Sequence, residues 1–169
     1  MANVPMCFQL NHSDILNLIF DHCGVDVGCR LSATETLSKL HVSQWTWARI
    51  KNDLRSNGLS AASIDELSSF DFRDSPEKVF HKLKTLLDGT EAFNRASPAI
   101  AHLKDVVKYI HRFGVTSKIF ITPLGSIRER FYKGGMLFSC LYDRDKKEVF
   151  AAGGRYDSLV REFLPKTGR

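Results

Sequence analysis

Ala151-Ala152-Gly153-Gly154-Arg155-Tyr156-Asp157-Ser158-Leu159 closes a run of strand-like residues and opens a helix. Two adjacent glycines at a strand end remove side chains where a small ligand can approach the backbone, and Arg155 and Tyr156 follow with a cation and a polar aromatic edge. The same pair also suits a tight strand-to-helix turn. Upstream, period-two patterning and β-branched or aromatic content predict strands over Lys118–Thr122, Gly135–Tyr142 and Glu148–Ala152. The last two are joined by a polar turn at Asp143–Lys147, and a helix is predicted over Asp157–Leu164.

Towards the N-terminus, Val4–Leu10 reads as a short strand and Ser13–Cys23 as an amphipathic helix closed by Gly24. From Gly24 to Gly114 the periodicity is helical throughout. Helices are predicted over Leu31–Leu40, Ser43–Ser56 and around Ile64–Leu67. Two longer ones follow, for which Ser75-Pro76 and Ser97-Pro98 each supply a hydroxyl cap and a proline at the first helical position. Their apolar stripes, Val79, Leu83, Leu86, Leu87 and Ile100, Leu103, Val107, Ile110, are core positions. Trp45 and Trp47 point in partly different directions, so at least one is expected to be more exposed than a core residue. The layout is α+β: a sheet contributed by residues 1–23 and 115–169, interrupted by a helical insertion over 24–114. Three or four strands with a free edge suggest part of a larger sheet.

With 169 residues and 43% hydrophobic content, the chain supports a globular core. No apolar run approaches the roughly 18 residues of a membrane span, and Met1–Leu10 lacks the pattern of a secretory leader, so a soluble, intracellular protein is expected. Cys7, Cys23, Cys29 and Cys140 form no Cys-x-x-Cys pair and read as buried free thiols; no metal site is expected. Of the net charge of +5, most falls late: 11 Lys or Arg against 6 Asp or Glu from Val115 onward, compared with 13 against 11 in the helical block. That placement is compatible with a phosphate-bearing partner, because bases set against phosphates release counterions.

The stretch 151–159 closely resembles the second signature of the histidyl-tRNA synthetase family, Ala-Gly-Gly-Arg-Tyr-Asp-Gly-Leu, with Ser158 the only departure. Across the hairpin, Arg128-Glu129-Arg130-Phe131-Tyr132-Lys133-Gly134-Gly135 occupies the place of the first signature, Arg-Gly-Leu-Asp-Tyr-Tyr-Thr-Gly. Arg128, Tyr132 and Gly135 match it, whereas Glu129, Arg130, Phe131 and Lys133 do not. Asn11–Val25 resembles the strand and helix that follow the second class II motif, and the helical block resembles the insertion of eukaryotic members. The resemblance implies a partial class II aminoacyl-tRNA synthetase-like antiparallel sheet. It also implies that the three class II motifs, with their ATP-holding arginines, are absent from this chain.

In the family, Arg128's counterpart stabilises the activated phosphate, and a small residue, an acid and a second tyrosine shape the imidazole pocket. Phe131 and Lys133 remove those polar partners, while Glu129 and Lys133 bring charges that are costly to bury unpaired. The resemblance therefore implies a vestigial histidine or adenylate pocket formed by Arg128, Tyr132, Gly153, Gly154, Arg155 and Tyr156, with no catalytic residues and no cofactor. Phe131-Tyr132-Lys133-Gly134-Gly135 beside an intact Ala-Gly-Gly-Arg-Tyr-Asp is most similar to the synthetase-like domains of kinases that phosphorylate translation initiation factor 2 alpha. That similarity implies a cytoplasmic, tRNA-sensing regulatory domain, active in amino-acid starvation. Its partners would be uncharged tRNA, a second copy in a homodimer and the kinase domain of the same protein, with no membrane. This stretch has no kinase signature of its own, and Asp71-Phe72-Arg73 does not substitute for Asp-Phe-Gly. Arg49, Lys51, Arg55, Lys82 and Lys84 are the candidate tRNA phosphate contacts. A fragment of a divergent genuine synthetase and a dimerisation module without RNA contact remain the alternatives.

Overall fold

The computed structural model describes residues 5–41, 45–143 and 148–164. Strand β1 (Met6–His12) runs directly into α1 (Ser13–His22). The strand extends two residues beyond the end that the sequence pattern suggested, and it alternates buried polar Gln9 and Asn11 with the core residue Leu10. His12 caps α1, its Nδ1 accepting the Asp14 N–H at 3.2 Å. Helix α2 (Arg30–Leu37) continues into a tight turn at Ser38–His41. Helix α3 (Trp47–Ser56) starts on Thr46, whose hydroxyl accepts the Arg49 N–H; the earlier start expected at Ser43 lies outside the described residues. Both tryptophans are half-buried. Ser60 caps α4 (Ala61–Ser68) in the same way.

Helix α5 (Pro76–Leu87) begins at Pro76 as expected, although Ser75 makes no side-chain cap bond. The start expected at Ser97-Pro98 is not a start. Helix α6 (Glu91–Arg112) begins after Thr90 and carries Pro98 in its interior, on an exposed position. A proline there removes one backbone donor. Ala96, Ala99, Ile100 and Leu103, buried against the core, keep the segment helical through that gap.

The remaining elements are β2 (Lys118–Ile121), β3 (Met136–Tyr142), β4 (Val149–Gly154) and α7 (Asp157–Phe163). The sheet order is β2-β1-β3-β4. β1 pairs antiparallel with β3, and β3 with β4, as the class II synthetase-like sheet implies, while β1 and β2 form one parallel pair that makes the sheet mixed. The reason is connectivity: the long helical block acts as a crossover that returns the chain to the same end of the sheet.

The register sorts the strands into two faces, because side chains alternate and directly paired residues share a side. Leu10, Ile121, Met136 and Phe138 lie on the face against which α1, α5 and α6 pack, in a core continuous from Leu10 to Leu124. Gln9, Asn11, Leu137, Ser139 and Gly154 lie on the other face. Cys7, Cys23 and Cys140 are buried free thiols and Cys29 is half-buried. Burial, aided by nearby Glu66, pushes the Cys23 thiol up to about 12. No helix of the described residues is long and apolar enough to cross a membrane.

Candidate ligand pocket and nucleic-acid interface

Two side chains, one from β1 and one from the β1–α1 junction, hold the loop that carries the first signature. Asn11 donates both Nδ2 hydrogens, to the carbonyl oxygens of Pro123 (2.9 Å) and Gly125 (2.8 Å). Ser13 Oγ accepts the N–H groups of Gly134 (2.7 Å) and Gly135 (3.2 Å), and its own N–H donates to the Gly135 carbonyl. Ser126 Oγ adds a bond to the Thr34 carbonyl, tying the loop to α2. With both ends fixed, the loop turns through Arg128, the one non-glycine described residue in the left-handed region (φ 56°), into a short turn at Glu129–Phe131.

Of the six expected pocket residues, the geometry brings three together and turns one to the other face of the sheet. Tyr132, Gly154 and Arg155 stay close to the signature loop. A Cβ on Gly154 would lie 2.7 Å from Tyr132 Cγ and 2.6 Å from the Met136 carbonyl oxygen, and one on Gly135 would lie 2.9 Å from Arg155 Cβ. Gly153 faces the other way: its Cβ would meet the Phe138 ring at 2.8 Å, on the helix-packed side. The two glycines thus admit two different aromatic rings, one on each side of the sheet. Arg128 is exposed, Tyr156 is 58% exposed, and the Arg155 guanidinium is engaged by the Asp157 carboxylate.

The substituted residues of the loop are also placed. Glu129 is buried, and that burial raises its carboxyl above the usual range, with Lys133 partly opposing and Asp14 adding to the shift. Arg130 reaches towards Glu35 at 3.9 Å and lies over the Phe131 ring. Ser158 Oγ, on the position that departs from the second signature, donates to the Lys133 carbonyl at 3.0 Å.

The polar residues of this sheet face that sequence patterning passed over are Gln9, Asn11 and Ser139. Their signal was present as period-two alternation of Gln9 and Asn11 around Leu10. Ser139 Oγ approaches Gln9 Oε1 at 3.5 Å, while Gln9 Nε2 and Asn11 Oδ1 have no partner among the described residues. The cleft between them, lined also by Ser126, Ile127 and Leu137, has a volume of about 10 Å³. A second hollow of about 250 Å³ reaches from Gln9 and Thr122 to Asp71, Phe72 and Arg73. Neither is lined by the six signature residues.

The five candidate phosphate contacts differ in how committed they are. Arg49 and Lys39 lie against the Trp45 ring, at 3.9 and 4.4 Å from its centroid. Lys51 pairs with Asp65 at 3.0 Å, and Lys82 lies over Phe72 at 4.1 Å. Arg55 is exposed in the last turn of α3 with no ion-pair partner among the described residues, and Lys84 is exposed on α5.

A family model described as histidyl-tRNA synthetase matches residues 2–169. The chain is 34% identical over 160 residues to the eIF-2-alpha kinase GCN2 of Schizosaccharomyces pombe, a match that covers 94% of this chain and 10% of that protein. It is 31% identical over 162 residues to the cytoplasmic histidine–tRNA ligase of Dictyostelium discoideum, covering 94% and 33%. The fold is that of a crystal structure of histidyl-tRNA synthetase from Nostoc sp. PCC 7120, with a TM-score of 0.77 at 19% identity over 96% of this chain and 38% of that one. The chain spans about a tenth of the length of the kinases it matches and a third of the ligase. From signatures, topology and these matches together, the chain belongs to the histidyl-tRNA synthetase family.

Proposed function

We propose that this chain is part of a non-catalytic, synthetase-like regulatory domain that senses uncharged tRNA and controls a translation initiation factor 2 alpha kinase domain of the same polypeptide. In this reading the domain works in the cytoplasm, in a homodimer, and responds to amino-acid starvation. Residues 1–23 and 115–169 supply the synthetase-like sheet, and residues 24–114 are an insertion that offers Arg49, Lys51, Arg55, Lys82 and Lys84 to tRNA phosphates.

The observation that carries the reading is the altered first-signature loop, where Tyr132 lies against the Gly154 backbone. Glu129, buried in the signature loop, adds an acid where the family places a small residue. Similarity to the kinases over 94% of the chain supports the regulatory assignment.

The test is binding of deacylated and aminoacylated tRNA at several salt concentrations, with calorimetry of histidine alongside. Preferential, salt-dependent binding of deacylated tRNA without stereoselective histidine binding is the expected result. Tight binding of L-histidine over its enantiomer would overturn the non-catalytic reading. Equal, weak binding of both tRNAs would remove the sensor.

A further inference from the structure

An open groove of about 1050 Å³ runs between α5 and α6 in the helical block. Its floor is apolar: Phe80 and Ile100 are buried, and Phe93 and Val107 half-buried. Its rims are basic. Lys104, Lys108 and Arg112 stand at i, i+4 and i+8 along α6 and form one row, while His81 and Lys84 line the α5 side. Glu77 is the single acid in the lining among the described residues. Lys104 Nζ lies over the Phe80 ring at 5.4 Å, so this cation already leans across the floor.

We propose that this groove is the docking site for an amphipathic α-helix of a separate protein, one carrying an apolar stripe flanked by acidic residues. An apolar floor between two helices accepts a third helix through residues at i, i+3, i+4 and i+7. The basic rims, with Glu77 the only opposing charge, select carboxylates on both flanks of that stripe. A nucleic-acid backbone would use the rims but gain nothing from Phe80, Phe93, Ile100 and Val107, which is why the groove favours protein over RNA. The groove lies apart from Arg49, Lys51 and Arg55 on α3 and shares only Lys84 with the candidate phosphate contacts, so it does not depend on α3 meeting tRNA.

The experiment uses the whole chain and three fluorescent peptides of about 14 residues, four helical turns. One has a leucine stripe flanked by glutamates, one the same stripe flanked by lysines, and one the glutamates with serines in place of the leucines. The leucine–glutamate peptide is expected to bind at least about tenfold more tightly than either control. In the triple variant Lys104→Glu, Lys108→Glu, Arg112→Glu, all exposed positions, that preference is expected to reverse while the thermal midpoint stays within a few degrees. Equal binding of the glutamate and lysine peptides, or unchanged affinity in the triple variant, would overturn the proposal. So would displacement of the bound peptide by a short RNA hairpin whose own binding the triple variant abolishes, since the row would then be an RNA surface.

Discussion

Ser158 donates its hydroxyl to the main-chain carbonyl of Lys133, at 3.0 Å. Both residues depart from the family signatures, and the bond between them pins the first turn of α7 to the loop that carries Tyr132. Ser158→Gly, which restores the family residue, deletes this bond and adds backbone freedom at the start of a seven-residue helix. The bond is exposed, so the expected loss in stability is small, about 0.5–1 kcal/mol. The sharper readout is hydrogen exchange, in which amides 129–134 and 157–161 are expected to exchange faster together. Unchanged protection of the loop would mean that the two segments are held independently.

Gly153 and Gly154 are expected to respond differently to alanine. At Gly154 the new methyl would meet the Met136 carbonyl oxygen at 2.6 Å, and a backbone atom in a strand cannot step aside. At Gly153 the obstacle is the far end of the Phe138 ring. Gly154→Ala should therefore cost about 1–3 kcal/mol, with no rescue from Tyr132→Ala, because the carbonyl remains. Gly153→Ala should be substantially recovered in the background of Phe138→Leu. Urea denaturation of the single and paired variants distinguishes the two cases.

These glycines show what was legible and what was not. The strings 128–135 and 151–159 disclosed the family, and turn residues with apolar stripes placed most helices within a few residues. That the two glycines serve opposite faces of the sheet depends on register, which emerges only when β3 and β4 pair. The parallel pairing of β1 with β2 is likewise a consequence of a long crossover and not of either strand's residues. Pro98 misled for a local reason: Ser-Pro is a strong start signal, but the apolar face of α6 already begins upstream, with Ala96 buried and Phe93 half-buried. Tertiary packing outweighed the cap.

Pro98→Ala tests that balance. An interior proline costs a helix about 3 kcal/mol relative to alanine, partly offset by roughly 0.4–1 kcal/mol of lost freedom in the unfolded chain. Because Pro98 is exposed, alanine leaves no cavity. A net stabilisation of about 2–2.6 kcal/mol is expected, read as a raised thermal midpoint with unchanged far-ultraviolet dichroism. A destabilised variant would mean that Pro98 packs in a way its exposure does not reveal.

His12 should make stability depend on pH. Burial lowers its pKa below the ordinary 6.5, against an opposing pull from Asp14 and with a further push from His102. The neutral ring is also the form whose Nδ1 can accept the Asp14 N–H and cap α1. In the unfolded chain His12 binds a proton near 6.5, and in the folded chain only at lower pH, so the unfolded state binds more protons between those values. Stability is therefore full above about 6.5 and falls as the pH drops towards the folded value. His12→Asn keeps a capping acceptor without the titration. Denaturation midpoints at a pH above and a pH below the ordinary histidine value should differ less for that variant than for the parent chain, and an identical difference would locate the dependence elsewhere.

Among the candidate phosphate contacts, Arg55 and Lys51 should separate. Both sit on α3, one turn apart, but Lys51 Nζ is held by Asp65 at 3.0 Å whereas Arg55 is exposed without such a partner among the described residues. Moving Lys51 to a phosphate breaks one ion pair to make another, which leaves a smaller net gain. Arg55 exchanges only water and counterions. If α3 meets the tRNA backbone, Arg55→Ala should weaken binding uniformly across tRNA sequences and reduce the salt slope by about one, with Lys51→Ala having the smaller effect. Affinity measured between low and moderate salt decides it, and two unchanged slopes would take α3 out of the interface.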